Sequence, residues 1–322
     1  GTREFTRLAA ELGFEHHVVE GQWQRWSDAE LRDVIADATA KGVGIWLWRH
    51  SRTLMDPVER RAFFAMVRDA GAVGVKVDFL DHEAREVVDR YEAILEDAAR
   101  LRLMVDFHGA NKPTGQARTW PNELTREGVK GLEYRRTEAW ATHNTTLPFT
   151  RLLAGPADYT PLVFNERRKE TSAAHQVATA VVFTSPLLVL AAHPARIQES
   201  PAGDVIRAIP AVWDETRVLP PSAIGELAVF ARRRGATWFL AVLNGPEGRT
   251  LRVPLSFLGK GNRDARLVRD VAEDPAALRV EARRVSARDT VDITLRPAGG
   301  FVGLFVDGPS RRPRKVGQAG GR

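Results

Sequence analysis

The chain contains no cysteine. That absence excludes disulfide bonds, thiolate metal ligands and a cysteine nucleophile, and it leaves the compartment open. No apolar run reaches the roughly 18 residues that a membrane-spanning helix needs, so no membrane span is expected. Phosphate loops, zinc-finger spacings and RNA-binding aromatic patterns are missing too. Positive charge is in only slight excess, 47 basic residues against 41 acidic ones. Part of that excess lies in the closing SRRPRKVGQAGGR, and 309–322 reads as a disordered basic tail. A nucleic-acid partner is therefore not expected. No signal-peptide pattern precedes the amphipathic helix at the start, and the chain begins at Gly1, which suggests a piece of something longer.

What is present is an ordinary globular composition, 43% hydrophobic and 27% charged, in 322 residues, enough for two domains. Helical and extended patterns alternate through the first two-thirds. Helices are expected near 2–12, 28–39, 56–71, 83–100 and 171–184. Strands are expected at 16–21, 42–50, 73–80, 101–109 and 127–133, with further candidates at 152–160 and 186–194. Alternation of this kind argues for parallel βα units. From about Trp213 the pattern becomes antiparallel, with turns at RRG and NGPEG. The fold class is thus α/β: a (β/α)8 TIM-type barrel, one strand short at its N-terminus, followed by an antiparallel β-sandwich. The domain boundaries are 1–212 for the barrel and 213–308 for the sandwich, with the tail beyond.

Several expected strands end in charged or aromatic groups, the place where a (β/α)8 barrel collects its chemistry. In GVKVDF, Lys76 and Asp78 lie two apart and so share one face of a strand. By the same parity Asp106 and His108 share the inner face of the next strand. A lysine beside Asp78 would keep its carboxylate ionised, suiting a nucleophile or an electrostatic stabiliser; the alternative is a buried salt bridge at the barrel mouth. Glu127 and Glu133 flank GVKG, and such a pair suits a hard cation, a general acid, or merely a solvated surface. His108 could be a base, a ligand or a hydrogen-bond donor to substrate. Trp23, Trp26, Trp46, Trp48 and Trp120 offer flat faces on which sugars stack, or simply core. Inward acids with aromatics and no cofactor loop suggest hydrolysis of something polar, such as a sugar.

Five stretches carry a more specific resemblance: 8–21 (LAAELGFEHHVVEG), 74–81 (GVKVDFLD), 105–133, 147–161 (LPFTRLLAGPADYTP) and 213–233. In this order they resemble glycoside hydrolase family 97, which implies an N-terminal β-supersandwich, a catalytic barrel and a C-terminal β-sandwich, acting on α-glucosides or α-galactosides. The resemblance implies that the N-terminal domain and first barrel strand lie outside this chain, which is then expected to be weakly active or inactive. Inverting members of the family carry HE where this chain has His108-Gly109, and they lack the aspartate found here at Asp78. Both differences point to the retaining branch, with Asp78 matching the nucleophile and Glu133 the acid/base. Retaining chemistry needs such carboxyls roughly 5–5.5 Å apart. The resemblance further implies a calcium ion held in part by Glu127 and Glu133, substrate contacts from Glu20, Lys76 and His108, and a periplasmic or secreted location for the full-length protein. The expected activity is that of an α-galactosidase acting on an oligosaccharide or other α-glycoside; an α-glucosidase or an inactive, sugar-binding remnant are the alternatives.

Overall fold

The computed structural model describes residues 1–134 and 139–308. The N-terminal part alternates as the sequence suggests: α1 (Thr2–Leu12), β1 (His16–Val19), α2 (Asp28–Ala40), β2 (Gly44–His50), α3 (Pro57–Ala70), β3 (Gly74–Asp78), α4 (Arg85–Arg100), β4 (Met104–Phe107) and β5 (Glu123–Arg126). The helices start where local chemistry supplies caps. Ser27 accepts from the Glu30 amide, and Asp56 accepts from Val58 and Glu59 ahead of a helix with Pro57 in its first turn. Strands β1 to β5 form one parallel sheet in chain order. Its register sets Lys76 beside Asp106 and His50 beside Asp78. Odd positions Val75, Val77, Val105 and Phe107 pack into the apolar layer with α2, α3 and α4. The even positions Lys76, Asp78, Asp106 and His108 are thereby turned to the other side, as strand parity requires.

Three expected strands are not formed. The residues at 127–133 are a loop; the pairing strand is β5, which ends just before them. Gly128 has φ 43°, and a Cβ there would fall 2.5 Å from the Asn111 carbonyl, so backbone packing fixes this turn. At 152–160 the chain runs beside β5 with one hydrogen bond, Asp158 amide to Arg126 carbonyl, before left-handed residues Thr160 and Leu162 stop any ladder. The apolar run 186–194 likewise forms no strand; it lines a cavity of about 810 Å³ beside β1.

After α5 (Trp140–Thr146), the wholly buried α6 (Ala173–Val182), α7 (Pro194–Glu199) and α8 (Gly203–Arg207), the chain is antiparallel. Strands β6 (Glu215–Val218), β7 (Leu227–Arg234), β8 (Thr237–Asn244), β10 (Asn262–Asp270), β11 (Leu278–Ser286) and β13 (Gly300–Asp307) make a six-stranded sheet; β9 (Arg249–Pro254) pairs with β12 (Thr290–Leu295). Inner faces of the two sheets share a core around Leu240, Leu267, Val291 and Phe301. The other face of the larger sheet packs on α6. The tail 309–322 lies outside the described residues.

Candidate active site

Asp78 closes β3, and three groups hold its carboxylate. The Trp48 indole donates to Oδ2 at 2.9 Å, and the Phe79 amide donates to Oδ1 at 2.7 Å. His108 Nδ1 stands 3.7 Å away, an ion pair rather than a direct hydrogen bond. Burial alone would raise the Asp78 carboxyl, yet His108, Trp48 and Phe79 outweigh it and keep it below the usual carboxylate range. The neighbour expected to do this was Lys76. Instead the Lys76 ammonium lies 3.8 Å from both Glu20 and Asp158, which is the correction the structure makes to the sequence reading.

His108 faces acids on every side: Asp78, Glu127 at 3.6 Å, and Asp158 at 3.6 Å from Nε2. Desolvation opposes its protonation, but Asp78 and the other carboxylates overcome this and raise it to about 9, so the ring is an imidazolium at neutral pH. Lys76 is raised as well: burial works against its charge, and Asp158, Asp106, Glu20 and Glu133 more than compensate. Asp106, wholly buried and next to Asp158, is driven far up by burial and then by that neighbour's charge. Burial also raises Glu20 and Glu127. Glu127 is anchored by the Gly109 amide, which donates to Oε2 at 2.8 Å.

Gly109 explains why a glycine follows His108. Its φ is 51°, and a Cβ would sit 2.9 Å from the Phe79 nitrogen and 3.0 Å from Asp78 Oδ1. No side chain fits at 109 while Asp78 keeps this position. A cavity of about 320 Å³ opens beside these groups, lined by Asp78, His108, Glu127 and Glu133, and by the aromatic rings of Phe79 and Tyr134. Glu133, Glu20 and Lys76 also border the larger cavity, so Glu133 stands where the two spaces meet. All six residues expected from the sequence are therefore brought to one place.

Two contributors were not singled out from the sequence. Asp158, fully buried, links Lys76 to His108 from a loop that reads as an apolar strand. Arg151 donates to the carbonyls of Arg126, Glu127, Gly128, Gly155 and Pro156, tying the segment that carries Glu127 to the one that leads into Asp158. Of the tryptophans, Trp48 meets the site, while Trp23 and Trp46 are core.

Two family models match: Glycoside hydrolase 97 over residues 1–129, and Glycosyl-hydrolase 97 C-terminal, oligomerisation, over 212–306. The chain belongs to glycoside hydrolase family 97. It is 35% identical to a probable retaining alpha-galactosidase of Streptomyces bingchenggensis, over 93% of this chain and 48% of that protein. Against a retaining alpha-galactosidase of Bacteroides thetaiotaomicron it is 29% identical, over 93% of this chain and 49% of the relative. A family 97 enzyme from Pseudoalteromonas sp. strain K8, solved with acarbose, superposes with a TM-score of 0.83 at 25% identity, covering 95% of this chain and 55% of that one. The chain spans about half the length of the curated relatives it matches.

Proposed function

We propose that this chain carries the catalytic centre of a retaining α-galactosidase, its parallel sheet being part of a (β/α)8 barrel. The observation that carries the reading is the Asp78 carboxylate: ionised, aimed into the cavity that Glu133 also lines, and packed so closely on Gly109 that an acidic residue there is excluded. In the first half of the reaction Asp78 attacks the anomeric carbon while Glu133 gives its proton to the glycosidic oxygen, and a covalent glycosyl ester forms with inversion. In the second half Glu133 takes a proton from water, which displaces Asp78 with a second inversion. The net result is retention. Lys76, His108 and Glu20 are polar groups bordering the two cavities and suited to sugar hydroxyls.

Calcium belongs to the same proposal. The donor atoms fit a hard cation: Glu127 and Glu133 are oxygen ligands bordering one cavity, in a neighbourhood with more carboxyls than cations. Their number does not make a shell by itself, since calcium takes about 6–8 oxygens and no cluster of three or more metal-ligating residues exists among the described residues. A bound ion would supply positive charge beside these two carboxylates.

The deciding experiment follows an aryl α-galactoside by proton NMR and reads the first-formed sugar anomer. The α anomer is expected. A β anomer appearing first excludes Asp78 as nucleophile, and faster turnover of the matched α-glucoside moves the reading to an α-glucosidase.

A further inference from the structure

Among the described residues only two Phe, Tyr or Trp side chains are strongly exposed, Phe79 at 47% and Tyr134 at 45%. Each directly follows one of the two proposed catalytic carboxylates, Asp78 and Glu133, and both line the 320 Å³ cavity. Phe79 holds a left-handed backbone, φ 64°, which costs any residue but glycine. The surroundings enforce it: Ser51 Oγ donates to the Phe79 carbonyl at 2.6 Å, and the Phe79 amide donates to Asp78. Its ring is braced by His50, centroids 4.8 Å apart, and by the Trp48 edge at 6.3 Å. Tyr134 has the Lys130 ammonium 4.9 Å from its ring. A large ring kept on a strained backbone at an open cavity mouth marks a functional demand.

We infer that Phe79 and Tyr134 form the leaving-group subsite, an aromatic platform for the apolar face of a second sugar ring or an aryl aglycone. This rests on the function proposed above. The division of labour is chemical. Charged Lys76, His108 and Glu20 suit the hydroxyl-rich glycone, whereas two exposed aromatic faces suit the C–H face of a ring. The scissile bond would lie between them, beside Asp78 and Glu133.

The experiment compares wild type with Phe79→Gly and Tyr134→Ala. Glycine relieves the positive φ, so Phe79→Gly removes the ring without straining the fold. kcat/KM is measured for an α-galactosyl disaccharide, an aryl α-galactoside and α-galactosyl fluoride, whose leaving group has no ring. The platform predicts that the ratio of ring-bearing substrate to fluoride falls about tenfold in either variant, mainly through KM. An unchanged ratio overturns it, whether the variants are fully active or uniformly slow. Inactivity on every α-glycoside, in this chain and in one extended upstream by the N-terminal domain, sinks the functional reading instead. The subsite is then decided by saturation-transfer NMR with the aryl α-galactoside: aryl signals weakened in both variants support it, and signals absent in wild type or unchanged in the variants refute it.

Discussion

The buried polar side chains of α6 itself, His175, Gln176 and Thr179, all have hydrogen-bond partners, whereas around the ends of β3 and β4 buried acids are crowded and two of them have none. His175, wholly buried, donates from Nδ1 to the Gly299 carbonyl and accepts on Nε2 from Asn144, which in turn accepts from the Tyr159 hydroxyl. Gln176 satisfies Thr171 and Val163, and Arg232 caps the Val181 carbonyl. By contrast, the carboxylate oxygens of Asp106 and Asp158 are buried without a hydrogen-bond partner among the described residues. A satisfied network tightens one packing arrangement; an unsatisfied cluster of acids stores electrostatic free energy at a chosen place. The difference separates what holds this protein together from what it uses.

The largest break in that comparison is expected at Asp78. Asp78→Gly should lose turnover by several orders of magnitude, and azide should restore part of it by forming the glycosyl azide of inverted configuration. Near-normal turnover by this variant would remove Asp78 from its role. Next comes Glu133→Ala. Substrates with poor leaving groups should slow by about 10²–10⁴, the range of general acid catalysis, and aryl glycosides with good leaving groups far less. A loss equal across leaving groups assigns Glu133 to structure or to the ion alone.

On the other side, His175→Ala should cost about 2–4 kcal/mol of unfolding free energy by chemical denaturation, since Asn144 and the Gly299 carbonyl lose a buried partner. Turnover per folded molecule should hold. A loss under about 0.5 kcal/mol would mean the network is dispensable.

The smallest effect is the pH dependence. Burial depresses His175 from its ordinary 6.5 to about 4 in the fold, so the unfolded chain binds the proton first. Its contribution to stability is complete above pH 6.5 and is lost as pH falls toward 4. Asp270 acts in the opposite sense. Burial raises it to about 6, against donors from Ser172 and the Gly300 amide, so its contribution is present below its ordinary 3.8 and lost as pH rises to about 6. Denaturation midpoints from pH 4 to 7 should therefore vary more steeply for Asp270→Asn than for wild type. Parallel curves would show that Asp270 is ionised throughout.

The site was legible where strand parity governs it. Lys76, Asp78, Asp106 and His108 were assigned a common face because residues two apart in a strand must share one, and neither lysine nor aspartate belongs under packing helices. What parity could not supply was the partner of each charge. Asp158 arrives from a stretch whose apolar residues suggest a strand, and only the left-handed Thr160 and Leu162 reveal that it is a loop. The same limit applies at 127–133, where a short run between glycines has the composition of a strand. Its conformation is set by contact with Asn111 and Lys112, far from it in sequence and invisible to local pattern. The run 186–194 also has the composition of a strand, yet it forms none and lines the larger cavity.

The contact between Gly109 and Asp78 bears on how such an enzyme could change its stereochemistry. Placing a glutamate at 109 would force a Cβ into the Phe79 backbone and the Asp78 carboxylate. Removing the Asp78 side chain relieves only one of these contacts, since the Phe79 nitrogen and Cα still lie 2.9 and 3.0 Å from that Cβ and φ stays at 51°; under the proposed function it also takes away the nucleophile. Neither single substitution thus accommodates a glutamate at 109, and the pair together still needs the backbone at Phe79 to move. Positions 78 and 109 are epistatic by collision, and a laboratory conversion would have to change both and reshape the backbone at Phe79 with them.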